Sequence, residues 1–150
     1  MKITIRKAEK SDIPAIISLV KKLALFEKAP EEVTVTERDY LENGFSSDKP
    51  LFESNLAYID NELVGFSLWY YRFSTWKGKR LYLEDIYIEE EYRGLGIGKI
   101  LLEMAIEEGK KNLCTGMMWQ VLDWNEKAIE FYKKYEVKLD YEWVNVHKEL

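Results

Sequence analysis

A glycine-rich run from Tyr92 to Lys99 has the residue types of a phosphate-binding loop. Its glycines recur at every second position, which lets the backbone turn with its N–H groups exposed at the N-terminus of a following helix. Arg93 adds a positive charge and forked donors. The run therefore predicts a site for a pyrophosphate group, formed by residues Arg93, Gly94, Leu95, Gly96, Ile97, Gly98 and Lys99.

Two well-known phosphate loops match this run poorly. A P-loop needs Ser or Thr after its Gly-Lys pair, and here Ile100 follows Lys99. The Rossmann fingerprint needs G-x-G-x-x-G, whereas this run reads G-x-G-x-G and lies past the midpoint of the chain. The plain alternative, a glycine turn that only joins a strand to a helix, stays open on this motif alone.

The elements on either side of the loop are predicted from their patterns. Leu81–Ile88 is aromatic and β-branched, which favours a strand, and the glutamates at 89–91 end it. Downstream, apolar residues recur at helical spacing from Ile97 to Ala105, which indicates a helix with one face in a core.

The rest of the chain alternates between strands and helices without a linker or repeat. Strands are predicted at Lys2–Lys7, Leu56–Ile59, Leu63–Phe73, Lys79–Ile88 and Gly116–Leu122, with a last pair of short strands before the C-terminus. Asp60-Asn61-Glu62 predicts a hairpin turn between the second and third strands. Helices are predicted after Ser11, from Thr36 to about Gly44, after the glycine loop, and from Asn125 to about Tyr135. Their predicted N-terminal caps are Ser11, Thr36 with Asp39, and Asn125. The pattern alone indicates an α/β or α+β fold in a single domain spanning 1–150.

Composition limits the classes of partner. The chain has 150 residues, 47% of them hydrophobic, and a net charge of −5, which argues against nucleic acid and favours cationic partners. A purely solvating acidic surface is the alternative. One cysteine, no membrane-length apolar run and no secretory signal predict a cytoplasmic protein without membrane contact. No metal site is expected, because no His/Cys cluster has ligand spacing.

Two motifs together resemble the GCN5-related N-acetyltransferase (GNAT) superfamily. They are R-G-x-G-I-G from Arg93 to Gly98, after a strand, and W-N-x-x-A-x-x-F-Y from Trp124 to Tyr132. Within it the chain is most similar to diamine acetyltransferases of the spermidine/spermine type. The shared stretches span most of the chain in the expected order: Leu23-Ala24 with Glu27, Thr36-Glu37, Glu42–Phe45, Val64–Phe66, Leu81–Asp85, Tyr92–Gly98, Trp124–Glu126 and Phe131–Lys133. The resemblance implies a mixed central sheet of six to seven strands flanked by about four helices.

The resemblance also implies acetyl transfer from acetyl-CoA to an amine. An amine with a pKa near 10 must lose a proton before it attacks, and the departing thiolate needs one. Glu84 and Asp85 are adjacent on the strand before the loop, so strand alternation lets only one face the reaction centre. By resemblance this is Glu84, which holds and deprotonates the amine, while Tyr132 protonates the thiolate. Each residue also has a purely structural alternative. Glu84 would form a salt bridge at the end of the sheet, and Tyr132 would belong to the buried aromatic face of an amphipathic helix.

Further site residues follow by matching motifs. Backbone N–H groups near Ile86, Tyr87 and Ile88 are expected to bind the oxyanion, left unpaired by a bulge or splayed strand. With the glycine loop, the acetyl-CoA set is completed by Asn125, Glu126, Lys127 and Ala128. The expected substrate contacts are Phe26, Glu27, Trp76, Glu84, Met118, Trp119, Gln120 and Glu142.

The chain departs from the family pattern at two places. Ser74 stands where an acidic residue is expected two places before Trp76, which weakens the case for long polyamines. Glu136 replaces the usual glycine after the last helix, so the helix exit must be built differently.

The sequence thus predicts an acetyl-CoA-dependent N-acetyltransferase acting on a small diamine, polyamine or lysine-like amine. Direct attack in a ternary complex is expected, because no nucleophile triad is present. The family implies a homodimer. Two alternatives stay open: an acetyltransferase for protein or peptide amines, and a non-catalytic acyl-CoA sensor.

Overall fold

The computed structural model describes all 150 residues, and they divide into two compact units, Met1–Gln120 and Val121–Leu150. The first unit holds a five-stranded sheet in the order β1-β2-β3-β4-β5. Its strands are β1 (Ile3–Lys7), β2 (Glu53–Ile59), β3 (Glu62–Ser74), β4 (Gly78–Ile88) and β5 (Gly116–Trp119). The helices are α1 (Ile13–Phe26), α2 (Glu37–Tyr40) and α3 (Ile97–Lys111) in the first unit and α4 (Glu126–Tyr132) in the second.

The sheet is mixed, as the sequence predicts. Strands β1 to β4 pair antiparallel, and β5 pairs parallel with β4 after the α3 crossover. The predicted strand count of six to seven is too high, because residues 136–150 form no strand. Alternating polar and apolar residues there satisfy the strand pattern, but a strand exists only where a partner supplies its hydrogen bonds. The single domain predicted for 1–150 stays a prediction.

The two faces of the sheet are covered by different helices. Ile16 and Leu19 of α1 pack with Tyr87 on one face, and Ile97 and Leu101 of α3 pack with Ile88 on the other. The neighbouring residues Tyr87 and Ile88 thus point to opposite faces, as normal strand alternation requires. No helix combines the length and apolar composition needed to cross a membrane.

In the first unit, local signals predicted one turn and one of two helix caps correctly. Asp60 and Asn61 have positive φ angles of 46° and 73° and join β2 to β3 in a hairpin whose turn is one residue shorter than predicted, because Glu62 already belongs to β3. Thr36 and Asp39 form the predicted capping box of α2. The predicted cap at Ser11 is wrong: the Asp12 carboxylate accepts the Glu9 backbone N–H at 2.7 Å, and α1 begins at Ile13.

Candidate active site

The glycine loop lies between β4 and α3, where the sequence predicts it. Gly94 and Gly96 have φ angles of 79° and 87°, a region that other residues rarely adopt. A Cβ at either position would meet no atom within 4 Å, so the conformation of the turn, and not packing, requires glycine. The backbone at Gly94 and Gly96 is not covered by other atoms, so a ligand can approach it closely.

The N-terminus of α3 is open to an anion. Its N-cap is Gly96, which has no side chain that could bond to the first N–H groups of the helix. The first turn contains no acidic residue. The first backbone N–H groups of a helix lack partners within the helix and carry a partial positive charge. Lys99 adds a full positive charge in the same turn. These features fit the pyrophosphate of a CoA molecule.

Strand β4 loses its β5 neighbour before it ends. The parallel ladder stops at the pair Leu83 and Trp119, whereas β4 continues to Ile88 and still pairs there with β3. The side chains of Tyr87 and Ile88 are buried in the core, so only the backbone of this stretch can serve a ligand. The splayed strand that the sequence analysis allowed for is present, and its open edge includes residues 86–88.

A β-bulge at Glu84 changes the direction of the side chains on β4. Asp85 pairs with Leu68 and Leu83 pairs with Trp69, so Glu84 is an extra residue between two consecutive partners. The expectation that alternation sends Glu84 and Asp85 to opposite faces is therefore wrong. Burial first, and then the charges of both carboxylates, raise the pKa of Tyr40, which packs on the α1 side of the sheet.

The bulge brings three carboxylates into one electrostatic cluster, Glu27, Glu84 and Asp85. The pKa of Asp85 is raised to about 7, chiefly by burial and further by the charges of Glu84 and Glu27. Burial also raises the pKa of Glu27, at the C-terminal end of α1. None of the ion pairs of the structure includes Glu27, Glu84 or Asp85, so the cluster lacks a counter-ion.

Tyr40 is a site residue that the sequence analysis missed. Burial and the charges of Asp85 and Glu84 raise its pKa to about 12, so its hydroxyl stays protonated and can donate a hydrogen bond. Its ring packs edge-on against Phe52 at 5.6 Å between ring centres. Tyr40 is 44 residues from Glu84 in sequence, so no local pattern could have linked them.

Arg93 has a more fixed position than its loop location predicts. Its Nε donates to the Ile88 carbonyl at 2.9 Å. The guanidinium lies 4.7 Å from the centre of the Phe26 ring and 5.5 Å from that of Tyr87. Phe26, an expected substrate contact, thus adjoins Glu27 on one side and the glycine loop on the other.

Of the other expected substrate contacts, Trp76 lies away from this cluster, whereas those at the end of β5 lie beside the middle of β4. Trp76 is at the tip of the β3–β4 turn, 83% exposed, and eight residues along the strand from Glu84, roughly 20 Å or more. The Ser74 hydroxyl accepts the backbone N–H groups of Trp76 and Lys77, so Ser74 shapes this turn. Met118 accepts a hydrogen bond from Arg72, Trp119 pairs with Leu83 at the end of β5, and Gln120 follows it.

The second unit contains the remaining residues that the sequence analysis predicted for a site. Asn125 caps α4 as predicted, with its side-chain oxygen accepting the Ala128 N–H at 3.4 Å. Glu126 and Lys127 are exposed in the first turn, and Tyr132 is buried at the end of the helix. Glu142 is exposed in the C-terminal segment. Glu136 has a positive φ of 55°, so the position usually held by glycine keeps the left-handed backbone despite the substitution.

The family model "Acetyltransferase (GNAT) family" matches residues 17–136, which include strands β2 to β5, the glycine loop and α4. The chain belongs to the GNAT family. This GNAT chain is an acetyltransferase, and acetyl-CoA is its cosubstrate. The non-catalytic sensor considered above is therefore set aside.

This GNAT enzyme is similar to proteins that carry the names of amine acetyltransferases. Thialysine N-epsilon-acetyltransferase of Bos taurus is 35% identical over 87% of this chain and 81% of its own length. Spermidine/spermine N(1)-acetyltransferase-like protein 1 of Homo sapiens is 36% identical over 85% of this chain and 19% of its own. The crystal structure of AAC(6')-Iy with a CoA bisubstrate analogue has the same fold, with a TM-score of 0.80, 18% identity and full coverage of both chains.

Replacement of Gly96 by valine should weaken CoA binding. The side chain would strain a backbone at φ 87° and project into the open space above the helix N-terminus. Each lost hydrogen bond to a charged group costs about 1.5–3 kcal/mol, so calorimetry should show at least a tenfold loss of CoA affinity in a folded protein. Gly109→Ala, within α3 and in ordinary contact with Leu81, is the matched control and should bind CoA normally. Normal CoA affinity in Gly96→Val would contradict the assignment.

Replacement of Asp85 by asparagine should change how stability depends on pH. Folded Asp85 keeps a proton up to about pH 7, whereas the unfolded chain releases it near pH 3.9, so folding stability falls as pH rises between these values. Asp85→Asn removes that fall. Urea unfolding should therefore show the variant gaining about 2 kcal/mol relative to wild type between pH 5 and pH 8. Asp48→Asn, at an exposed site, is the control; an equal pH dependence in wild type and Asp85→Asn would count against the buried carboxyl.

Proposed function

We propose that the acceptor is a primary amine of a small diamine, polyamine or lysine-like compound. The observation that carries the proposal is the cluster Glu27, Glu84 and Asp85, none of which belongs to an ion pair. A bound dication would supply the missing positive charge at both ends of the cluster. The thialysine and spermidine/spermine relatives are consistent with an acceptor of this kind.

The proton of the attacking amine goes to the carboxylates on β4. A bound ammonium lies next to the carboxylates of Glu84 and Asp85. The pKa of Asp85 is raised to about 7, chiefly by burial, which is close to the pH of the cell, where a general base works best. This revises the expectation that Glu84 acts alone: Glu84 at the bulge touches the amine, and Asp85 holds the proton.

The remaining chain groups act on the thioester that acetyl-CoA supplies. Direct attack in a ternary complex forms the C–N bond and breaks the C–S bond, with no acetyl group on the enzyme. Backbone N–H groups on the open edge of β4, at residues 86–88, bind the carbonyl oxygen as negative charge develops there. The Tyr132 hydroxyl gives its proton to the departing sulfur and regains one from water.

The family resemblance extends the proposal to the assembly and the compartment. A homodimer and a cytoplasmic location remain predictions from the sequence. An acceptor amine on a protein or peptide is the competing hypothesis, and the amine panel below separates the two.

Tyr132→Phe should lower turnover without lowering CoA affinity. The change keeps the buried ring and removes only the proton donor. Loss of general acid catalysis costs roughly 10²-fold in kcat. Steady-state kinetics paired with CoA calorimetry would check this, and a kcat within twofold of wild type would remove Tyr132 from the reaction.

Glu27→Gln should separate diamines from monoamines. Only a second ammonium feels the charge at the end of α1, so KM for 1,4-diaminobutane should rise about tenfold while that for butylamine changes little. Glu107→Gln, which makes the same change in net charge on α3, is the matched control and should leave both values unchanged.

The same assay, run with spermidine, lysine, thialysine and a lysine peptide, tests the acceptor class. Turnover of small diamines well above that of the peptide supports the proposal. Equal KM changes for butylamine and 1,4-diaminobutane in Glu27→Gln, or preference for the peptide, would contradict it.

A further inference from the structure

Two contacts fasten the end of α1 to the chain that leads into the glycine loop. The Lys22 ammonium forms an ion pair with Glu89, whose side chain is 16% exposed. One helical turn later, the Phe26 ring lies against the Arg93 guanidinium at 4.7 Å. Lys22 and Phe26 are four residues apart on α1, and their partners Glu89 and Arg93 are also four residues apart. The two contacts therefore follow one another along the same face of the helix.

Arg93 is held from the other direction by β4. Its Nε donates to the Ile88 carbonyl, and its guanidinium also lies over the Tyr87 ring. The residue therefore spans from the end of β4 to the last turn of α1. It is also the residue immediately before Gly94, so it is the first side chain of the phosphate-binding loop.

The last turn of α1 lies near the protein surface. Leu25 is 67% exposed and Phe26 is 37% exposed. Backbone hydrogen bonds to the carbonyls of residues 23–25 close the helix, and Lys28 leaves it with a positive φ of 63°. Exposed helix ends open locally more easily than the core of a protein. The position of Glu27, which adjoins Phe26, then depends on how firmly Arg93 holds the ring.

We propose that Arg93 couples the cofactor loop to the Phe26–Glu27 end of α1, so that CoA binding orders the wall that receives the second charge of the amine. The Glu27 part of this inference rests on the proposed function. A guanidinium has five N–H donors, and the bond from Nε to the Ile88 carbonyl leaves the terminal nitrogens with donors for a phosphate oxygen. An anion at the loop would hold Arg93 in place and, through it, Phe26. By thermodynamic reciprocity, a bound diamine would equally strengthen CoA binding.

Amide hydrogen exchange with CoA alone tests the coupling without any amine. At saturating CoA, exchange in residues 22–29 of wild type should slow about fivefold or more, the lower range of typical coupling between sites. Phe26→Leu, which keeps an apolar side chain but has no aromatic face, should abolish the slowing in this segment. Phe26→Tyr should restore it. Slowing in residues 93–99 shows in each protein that CoA is bound.

Lys7→Gln provides the control. It removes the ion pair of Lys7 with Glu53, which joins the end of β1 to the start of β2. Because this ion pair involves neither α1 nor the glycine loop, its loss should leave the slowing of exchange unchanged. Lys22→Gln, which removes the second fastening contact, should reduce the slowing. Unchanged exchange in wild type at saturating CoA, or equal slowing in Phe26→Leu, would overturn the coupling.

Calorimetry with 1,4-diaminobutane distinguishes this inference from the proposed function. In wild type, saturating CoA should tighten diamine binding about fivefold or more, and Phe26→Leu should lose that gain. If the diamine neither binds nor is acetylated while exchange in residues 22–29 still slows, the acceptor proposal fails and the coupling stands. If the diamine binds equally with and without CoA in wild type, the coupling to Glu27 fails and the acceptor proposal stands.

Discussion

One extra residue in β4 organises the whole site. At Glu84 the ladder with β3 shifts register, and one residue earlier the ladder with β5 stops. The bulge turns two consecutive carboxylates toward the α1 side, and the loss of β5 frees one edge of the backbone up to Ile88. Beyond Ile88 the chain enters the glycine loop. The two carboxylates, the unpaired backbone edge at residues 86–88 and the predicted phosphate-binding loop therefore follow one another along a single stretch of chain.

The carboxylates of Glu27, Glu84 and Asp85 lower the stability of the folded protein, but they can bind a cationic amine. Burial disfavours the ionised form of Asp85, and the neighbouring Glu84 and Glu27 add repulsion instead of compensation. A structural ion pair would relieve this, as Arg6 does for Asp12 at the start of α1. The cluster lacks such relief, which is typical of a site whose counter-ion is its substrate.

Local sequence signals predicted the features that short stretches of chain determine. The glycine loop, the Asp60-Asn61 turn and the Asn125 cap each depend on a few neighbouring residues, and all appear as expected. The bulge at Glu84 was not predicted, because it results from how β4 pairs with β3. The rule of side-chain alternation uses the sequence of one strand alone. Tyr40 near Glu84 and Phe26 on Arg93 join residues distant in sequence. The C-terminal strands were overpredicted because a suitable pattern does not supply a pairing partner.

The central claim, that the bulge places Glu84 and Asp85 in one partly buried acidic cluster, is tested most directly by carbon-13 NMR of the Asp85 side-chain carboxyl as a function of pH. In wild type the resonance should titrate near pH 7, and in Glu84→Gln its midpoint should move to lower pH because a neighbouring charge is gone. A midpoint near 4 in wild type, with no change in Glu84→Gln, would contradict the account.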